Sequence, residues 1–142
     1  MSEQERWFRG HLKELSRDEC WELLSTRPVG RVGYADPEGP VILPVNFVLE
    51  DRDTVLFRTA PHSALAQHLM TSLSAVSFQV DDFDEYTQSG WSVLVRGQAS
   101  VAEHGDLPVE DDERPNPWVE GTRTLFVRLT PHTITGRRLL PA

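Results

Sequence analysis

Residues 41–49 read VILPVNFVL and decide the class of fold. Apolar side chains recur at every second position of this stretch, at Val41, Leu43, Val45, Phe47 and Leu49. Successive side chains of a β-strand point to opposite faces of the sheet, so this period of two places five apolar side chains on one face. We therefore predict a strand with one buried face here.

Segments on both sides of this strand predict an antiparallel sheet. Residues 29–35 form a preceding strand, and the Asp36-Pro37-Glu38-Gly39 turn joins the two as a hairpin. Pro presets one turn dihedral and Gly accepts a positive φ, which is why these residue types favour a turn. A polar turn at residues 50–53 leads to a third strand at residues 54–59. Three consecutive strands without intervening helices predict a mainly β fold.

Two helices and four further strands complete the predicted elements. Ser16-Arg17-Asp18-Glu19 is a capping box, so we expect a helix over residues 16–27, and a second helix over residues 62–70. The remaining strands are expected at residues 75–80, 91–102 with a bulge at Gly97, 122–129 and 133–140, and an acidic turn at residues 81–85. Seven strands and two helices in this order predict a closed or nearly closed barrel.

Length and charge limit the number of domains and the class of partner. The chain has 142 residues, which suits one domain, and we assign residues 1–14 to an N-terminal extension and residues 15–142 to that domain. Residues 103–121 are expected to be an acidic loop insertion. The chain has 14 basic and 22 acidic side chains and a formal net charge of −8. This charge argues against nucleic-acid binding, because such modules present basic surfaces to phosphates.

Cysteine content and hydropathy indicate the compartment. Cys20 is the only cysteine, which excludes an intramolecular disulfide and a Cys-rich zinc site. The first ten residues mix acidic and basic side chains, and no run of about 18 apolar residues occurs. We therefore expect a cytoplasmic protein that does not bind a membrane.

The spacings of common catalytic and metal sites are missing. The five histidines show neither His-x-His nor His-Glu-x-x-His spacing, so no metal site is predicted. No Gly-x-Ser-x-Gly motif occurs, and Cys20 falls on the apolar face of a predicted helix. Gly30-Arg31-Val32-Gly33 is not followed by a helix, as a dinucleotide-binding loop requires. The sequence therefore identifies no catalytic residue.

One local pattern suggests an anion site. Phe57-Arg58-Thr59 ends a predicted strand, and Pro61-His62-Ser63 begins a predicted helix. A guanidinium group, two hydroxyl groups and unpaired backbone N–H groups near one point suit a phosphate. The alternative is that Arg58 lies on a solvent-facing strand surface and that Ser63 is an ordinary helix cap.

Several segments, taken in order along the chain, resemble a known family. They are Leu15-Ser16, Glu19-Cys20, Leu23-Leu24, Val29-Gly30-Arg31-Val32, PVILPVNF at 40–47, Phe57-Arg58-Thr59, GWSVLVRG at 90–97 and ITGRRL at 134–139. This ordered set resembles the FMN-binding split-barrel proteins, in the branch similar to pyridoxamine 5′-phosphate oxidase and the nitroimidazole-resistance flavoproteins.

The resemblance implies a mainly β (α+β) fold, an antiparallel six-stranded Greek-key split β-barrel with flanking helices. It also implies a homodimer that binds FMN at the dimer interface. The implied cofactor-binding residues are Pro44, Val45, Asn46 and Phe47 against the flavin ring, Arg58, Thr59 and Ser63 at the phosphate, and Trp91 and Ser92 close to the flavin. The residues themselves add one expectation. A proline inside an alternating strand removes a ladder donor, so Pro44 should lie at an edge or bulge.

The function implied by the resemblance is an FMN-dependent oxidoreductase acting on a small organic substrate. The alternatives are a non-catalytic flavin-binding or sensing protein, and a split barrel that uses deazaflavin F420 or haem. Ala64 and Leu65 follow Ser63 where the family usually has a basic residue, and Gln88 stands where a basic residue often precedes Gly-Trp-Ser. We expect the dimer interface to bury Trp91 or Trp118.

Overall fold

Seven antiparallel strands form one sheet that closes on itself, in a computed structural model that describes residues 12–51, 53–70, 75–102 and 125–141. The strands are β1 (Leu12–Glu14), β2 (Val29–Asp36), β3 (Gly39–Glu50), β4 (Thr54–Thr59), β5 (Ala75–Asp84), β6 (Ser89–Val101) and β7 (Leu125–Leu139). The helices are α1 (Arg17–Leu24), which precedes β2, and α2 (Ala64–Met70), which lies between β4 and β5. The expected antiparallel, mainly β barrel with two helices is confirmed.

The strand order is β1-β7-β4-β3-β2-β5-β6, and pairing of β6 with β7 closes the barrel. The six long strands, β2 to β7, form this closed ring. β1 lies outside it and pairs with the end of β7, from Leu12 opposite Leu139 to Glu14 opposite Arg137. The sheet therefore begins within the segment that we assigned to the N-terminal extension.

The final strand pair predicted at residues 122–129 and 133–140 is one continuous strand, so that prediction is wrong. β6 pairs along β7 from Gly90 opposite Leu139 to Val101 opposite Val127, with one irregularity at Arg96 and Gly97. β7 passes through Pro131, between the two predicted strands, without reversing. The expected irregularity at Gly97 is present, and a Cβ atom there would lie 2.1 Å from the Thr130 carbonyl oxygen. The missing side chain thus permits the close approach of the two strands.

The acidic turn predicted at residues 81–85 also differs from the structure. β5 continues to Asp84, and the turn follows at residues 85–88. Asp81 and Asp82 each lie beside a basic side chain of β2 or of the residues just before it. The Arg31 guanidinium lies 3.3 Å from the Asp81 carboxylate, and that of Arg27 lies 3.5 Å from the Asp82 carboxylate.

The predicted capping box begins α1. The Ser16 hydroxyl accepts a hydrogen bond from the Glu19 backbone N–H at 3.2 Å, and the Glu19 carboxylate accepts one from the Ser16 N–H at 3.1 Å. The buried face of α1 consists of Cys20, Trp21 and Leu24. This face joins the main core inside the barrel, which includes Val32, Phe57, Phe78, Val93 and Val127. No helix within the described residues is long and apolar enough to cross a membrane. The expected acidic loop at residues 103–121, with Trp118, lies outside them.

Candidate functional site

The barrel is split between β3 and β4. β3 pairs with β2 over the whole stretch from Gly39 to Asn46. Among the described residues, its pairing with β4 covers only Phe47 to Glu50. The first half of β3 therefore presents one backbone edge that is not paired with β4.

Pro44 lies in this half of β3, as its missing N–H led us to expect. The Phe47 N–H donates to the Pro28 carbonyl at 3.3 Å, on the β2 side of the strand. Backbone groups of successive residues in an antiparallel strand point to alternate sides, so the nitrogen of Pro44 faces the split. Its carbonyl oxygen and the backbone of Ile42 face the same way. Pro44 thus leaves the ladder to β2 intact and helps to keep β4 away.

The other residues predicted to contact a flavin ring have different surroundings. Val45 and Phe47 point into the barrel, and Phe47 packs edge-on against Phe78 with ring centroids 4.9 Å apart. The Asn46 side chain donates to the Pro28 carbonyl at 3.3 Å. The Phe47 side chain is therefore part of the core rather than of a ligand surface.

Two of the predicted phosphate-binding side chains meet at the β4 side of the split. Thr59 Oγ1 and Ser63 Oγ lie 2.9 Å apart, and Ser63 Oγ also accepts the Ala66 backbone N–H at 3.0 Å. The Thr59 side chain is buried, whereas Ser63 is half-buried. One of the two hydroxyl protons is used between them, so one proton is left to donate to a ligand.

Arg58, the third predicted phosphate residue, lies on the opposite face of β4. Side chains alternate along a strand, so Arg58 points outward while Thr59 points into the barrel. Its guanidinium carbon lies 4.8 Å from the centroid of the Phe126 ring. The structure therefore joins the two hydroxyl groups but does not place the guanidinium on their face. The next two residues after Ser63 are uncharged, with Ala64 exposed and Leu65 fully buried. Neither position therefore supplies a cation.

Trp91 and Ser92 lie far from the split within one chain. Trp91 is only 7% exposed and belongs to the core, which leaves it little surface to bury in an interface. Ser92 is on the outer face and separated from Pro44 by β2 and β5. Three strand spacings amount to about 14 Å. One chain therefore does not bring Ser92 together with the open edge of β3.

Two open grooves lie along β3, one at each half of the strand. A groove of about 440 Å³ lies between the end of α1 and residues 47–49. A second, of about 560 Å³, follows the β2–β3 hairpin and is lined by Ile42, Tyr34 and Arg96 among others. Burial raises the pKa of Tyr34, and its hydroxyl has no hydrogen-bond partner among the described residues. The phenol therefore stays protonated at neutral pH.

A polar network on the outer face was not predicted. The Arg31 guanidinium donates to Gln79 Oε1 at 3.0 Å, and Gln79 Nε2 donates to Asp81 Oδ2 at 2.7 Å and to Ser92 Oγ at 3.2 Å. These residues come from β2, β5 and β6, so only the pairing of the strands reveals the cluster. Within the described part of the chain, no three His, Cys, Asp or Glu side chains are grouped as a metal site requires.

Comparisons with known proteins place this geometry in a family. The family model described as pyridoxamine 5′-phosphate oxidase matches residues 16–138. The FAD-binding protein from Mycobacterium smegmatis is 36% identical, with 90% of this chain and 98% of that one covered and a TM-score of 0.66. A putative pyridoxamine 5′-phosphate oxidase from Corynebacterium glutamicum is 27% identical, with 93% and 96% covered and a TM-score of 0.78. The uncharacterized protein Rv0080 of Mycobacterium tuberculosis is 31% identical over 130 residues, 89% of this chain and 85% of that protein. The chain belongs to the pyridoxamine 5′-phosphate oxidase family and has its split-barrel fold.

Proposed function

We propose that this protein binds a flavin nucleotide in the split between β3 and β4 and acts as a flavin-dependent oxidoreductase on a small organic substrate. The observation that carries the proposal is the backbone edge of β3 at Ile42 and Pro44, which faces the split beside the hydroxyl groups of Thr59 and Ser63. The family supports it, as does the FAD-binding relative that is 36% identical.

The open strand edge suits the ring of a flavin. A strand edge presents N–H donors and C=O acceptors side by side, and these groups need partners. The pyrimidine edge of a flavin carries two carbonyl acceptors with an N–H donor between them. Ile42 offers a backbone N–H and C=O on this edge, and Pro44 offers a C=O alone. The strand can therefore hold a flavin ring in one orientation by backbone groups.

The end of β4 suits a phosphate group. The spare proton of the Thr59–Ser63 pair is a donor, and Arg58 supplies a cation on the same strand. Ala64 and Leu65 occupy the next two positions, so the cation in our proposal is Arg58, whose guanidinium would have to turn around the end of β4 from its place over Phe126 to reach this phosphate. FMN and FAD share the phosphate next to the ribityl chain, so this site would take either nucleotide. FMN is what the sequence resemblance implies, and FAD is what the Mycobacterium smegmatis relative binds.

A bound flavin would supply hydride transfer, and the protein would supply orientation and water exclusion. The β3 edge would fix the plane of the ring. The outer face of β3 beside the ring is apolar, because Pro44 and Ile42 are exposed there. Once another surface covers this face, it would exclude water from one side of the ring.

We propose that a second copy of the chain covers this apolar face of β3. Ile42 is 70% exposed on the outer face of β3, where a monomer would leave a large apolar side chain in water. About 14 Å separates Ser92 from the split within one chain, so our proposal includes a twofold arrangement in which Ser92 of one subunit faces the split of the other. The proposal is thus a homodimer of the cytoplasm with two flavin sites at its interface.

The visible spectrum of the purified protein tests this function. A flavoprotein has two absorption bands and a yellow colour, and apoprotein should bind FMN or FAD when either is added. Titration with riboflavin, FMN and FAD would then rank the contributions of the ring, the first phosphate and the adenylate. A Soret band, a single near-ultraviolet band of a deazaflavin, or failure to bind any of the three flavins would overturn the proposal.

A further inference from the structure

The outer-face network has only one consistent arrangement of donors. A guanidinium group can only donate, and an ionised carboxylate can only accept. Gln79 therefore turns its Oε1 toward Arg31, at 3.0 Å, and its Nε2 toward Asp81, at 2.7 Å. The reversed amide would place two donors together and two acceptors together. Arg31 also lies 3.3 Å from the Asp81 carboxylate, which closes the triangle.

This arrangement decides the role of the Ser92 hydroxyl. Nε2 of Gln79 has two protons, one directed to Asp81 and the other to Ser92 Oγ at 3.2 Å. Ser92 must accept that second proton, so its own proton is available for another acceptor. Among the described residues none accepts it. Ser92 is half-buried on the outer face of β6, so an acceptor for this proton can approach from outside the barrel.

We infer that Gln79, held by Arg31 and Asp81, is a positioning residue that keeps Ser92 as a hydrogen-bond donor to a neutral carbonyl oxygen of the bound flavin ring. This inference rests on the proposed function. Without Gln79 the hydroxyl could rotate and turn its proton toward the Asp81 carboxylate, which faces Ser92 across the strand pair. The network therefore sets the direction of the hydroxyl rather than its location.

The local charges favour a neutral acceptor over a phosphate oxygen. The guanidinium of Arg31 is matched by the Asp81 carboxylate, and Arg137, opposite Ser92 in the β6–β7 pairing, has Glu14 opposite it on β1. These four charged groups around Ser92 therefore sum to no net positive charge. Asp81 also lies directly opposite Ser92 in the β5–β6 pairing, and its negative charge would oppose a phosphate there. A ring carbonyl has no such penalty.

Riboflavin is the probe, because it has the ring and lacks the phosphate. We compare wild type, Ser92→Ala, Gln79→Glu and the double variant by fluorescence titration, and record the visible spectrum of each complex. Gln79→Glu replaces the amide donor by an acceptor, which turns the Ser92 proton inward. Ser100→Ala is the matched control, since Ser100 is an exposed serine on the same face of β6. Melting temperatures establish that each variant is folded.

We expect Ser92→Ala and Gln79→Glu each to weaken riboflavin about three- to tenfold, the usual value of one neutral hydrogen bond. Each should shift the visible bands in the same direction, and Ser100→Ala should do neither. The double variant should bind no more weakly than Ser92→Ala, because Gln79 acts through Ser92. If Gln79→Glu does not fold, Gln79→Met should produce a smaller loss that also disappears in the Ser92→Ala background.

Additive losses in the double variant, or unchanged riboflavin binding in Ser92→Ala, would overturn this inference while wild-type binding still supports the proposed function. A Ser92→Ala variant that weakens FMN but not riboflavin would also overturn it, because the acceptor would then be the phosphate. Wild-type protein that binds neither riboflavin nor FMN overturns the proposed function and this inference together.

Discussion

Thr59 Oγ1 and Ser63 Oγ lie 2.9 Å apart, which joins the end of β4 to the start of α2 beside the split in the barrel. The bond connects a buried hydroxyl to a half-buried one, and the Ala66 N–H also donates to Ser63. Either hydroxyl can donate to the other, so one of the two protons is left over beside the split. The pair therefore caps a helix and presents one donor at the site where we propose a phosphate.

Replacing Ser63 by Ala should affect both roles. The lost cap should lower the free energy of unfolding by about 1 kcal/mol. Loss of the hydroxyl that donates to the charged phosphate should weaken FMN binding about tenfold or more. Riboflavin affinity should not change. Ser63→Thr keeps the hydroxyl and is the control that should retain both properties, as measured by chemical unfolding and by titration of both flavins. Equal losses of riboflavin and FMN affinity would place the phosphate elsewhere.

Removal of the Arg58 side chain should weaken FMN selectively. If bound FMN draws the Arg58 guanidinium around the end of β4 to its phosphate, loss of this charge pair costs about 2–5 kcal/mol. Arg58→Ala should then bind FMN more than tenfold more weakly while binding riboflavin like wild type. Arg17→Ala is a matched control. It also removes a guanidinium near an aromatic ring, 6.0 Å from the centroid of Trp21, but on α1. Unchanged FMN affinity in Arg58→Ala would contradict the proposed role of this residue.

Alanine substitution should have different effects on stability at two strand glycines, one of them at the close approach of β6 and β7. A Cβ atom at Gly97 would lie 2.1 Å from the Thr130 carbonyl oxygen, and backbone must move to admit it. Gly97→Ala should therefore lower the free energy of unfolding by about 2–3 kcal/mol or more. Gly33 is also in a strand, but its nearest contacts would be 3.8 Å away. Gly33→Ala should stay within about 1 kcal/mol of wild type, and denaturant unfolding of both variants measures the difference.

The capping box of α1 should contribute to stability in a pH-dependent way. The Ser16 backbone N–H donates to the Glu19 carboxylate and lowers the pKa of Glu19 below its ordinary value of 4.5. The pKa of Glu19 is lower in the folded state than in the unfolded state. The stabilisation by the capping box is therefore present above pH 4.5 and is lost as the pH falls through the folded-state pKa.

Glu19→Gln should therefore show a shallower loss of unfolding free energy than wild type from about pH 5 to about pH 3. Glu22→Gln, on the same helix but outside the capping box, corrects for the removal of one negative charge. Parallel stability curves for wild type and Glu19→Gln would mean that the cap has no role in acid unfolding.

The exposed Ile42 side chain should be essential to the proposed dimer. Light scattering of wild type should report a particle of twice the chain mass of 16.1 kDa. Ile42→Asp would place a charge in an apolar interface and should shift the particle toward one chain. Ile42→Val keeps the apolar surface and should remain dimeric. A wild-type particle of one chain mass at micromolar concentration would exclude the dimer.

Local pattern was sufficient for most elements of this protein. The alternation at residues 41–49, the turn at residues 36–39 and the capping box at Ser16 and Glu19 each act within a few residues of one another. Their effects therefore do not depend on the rest of the chain. The hairpin, α1 and the antiparallel class follow from them. The expected place of Pro44 at a strand edge followed in the same way, from the donor that proline lacks.

Strand pairing decided what local pattern could not. The pattern predicts two strands at residues 122–129 and 133–140, but β6 pairs with β7 on both sides of Pro131, and Gly97 leaves room for this close approach. Arg58 and Thr59 are adjacent in sequence, yet strand alternation puts them on opposite faces of β4. The residues predicted to bind the phosphate are therefore divided between the two faces.

The sequence by itself determined the family, the mainly β class and the segments from which the candidate site is built. Only the tertiary structure decided that β3 separates from β4 before Phe47, and that the Gln79 amide of β5 donates to the hydroxyl of Ser92 on β6. The physical reason is the range of the interactions. Side-chain alternation and helix caps act between residues a few positions apart, whereas an open strand edge and a cross-strand hydrogen bond depend on the register between distant segments.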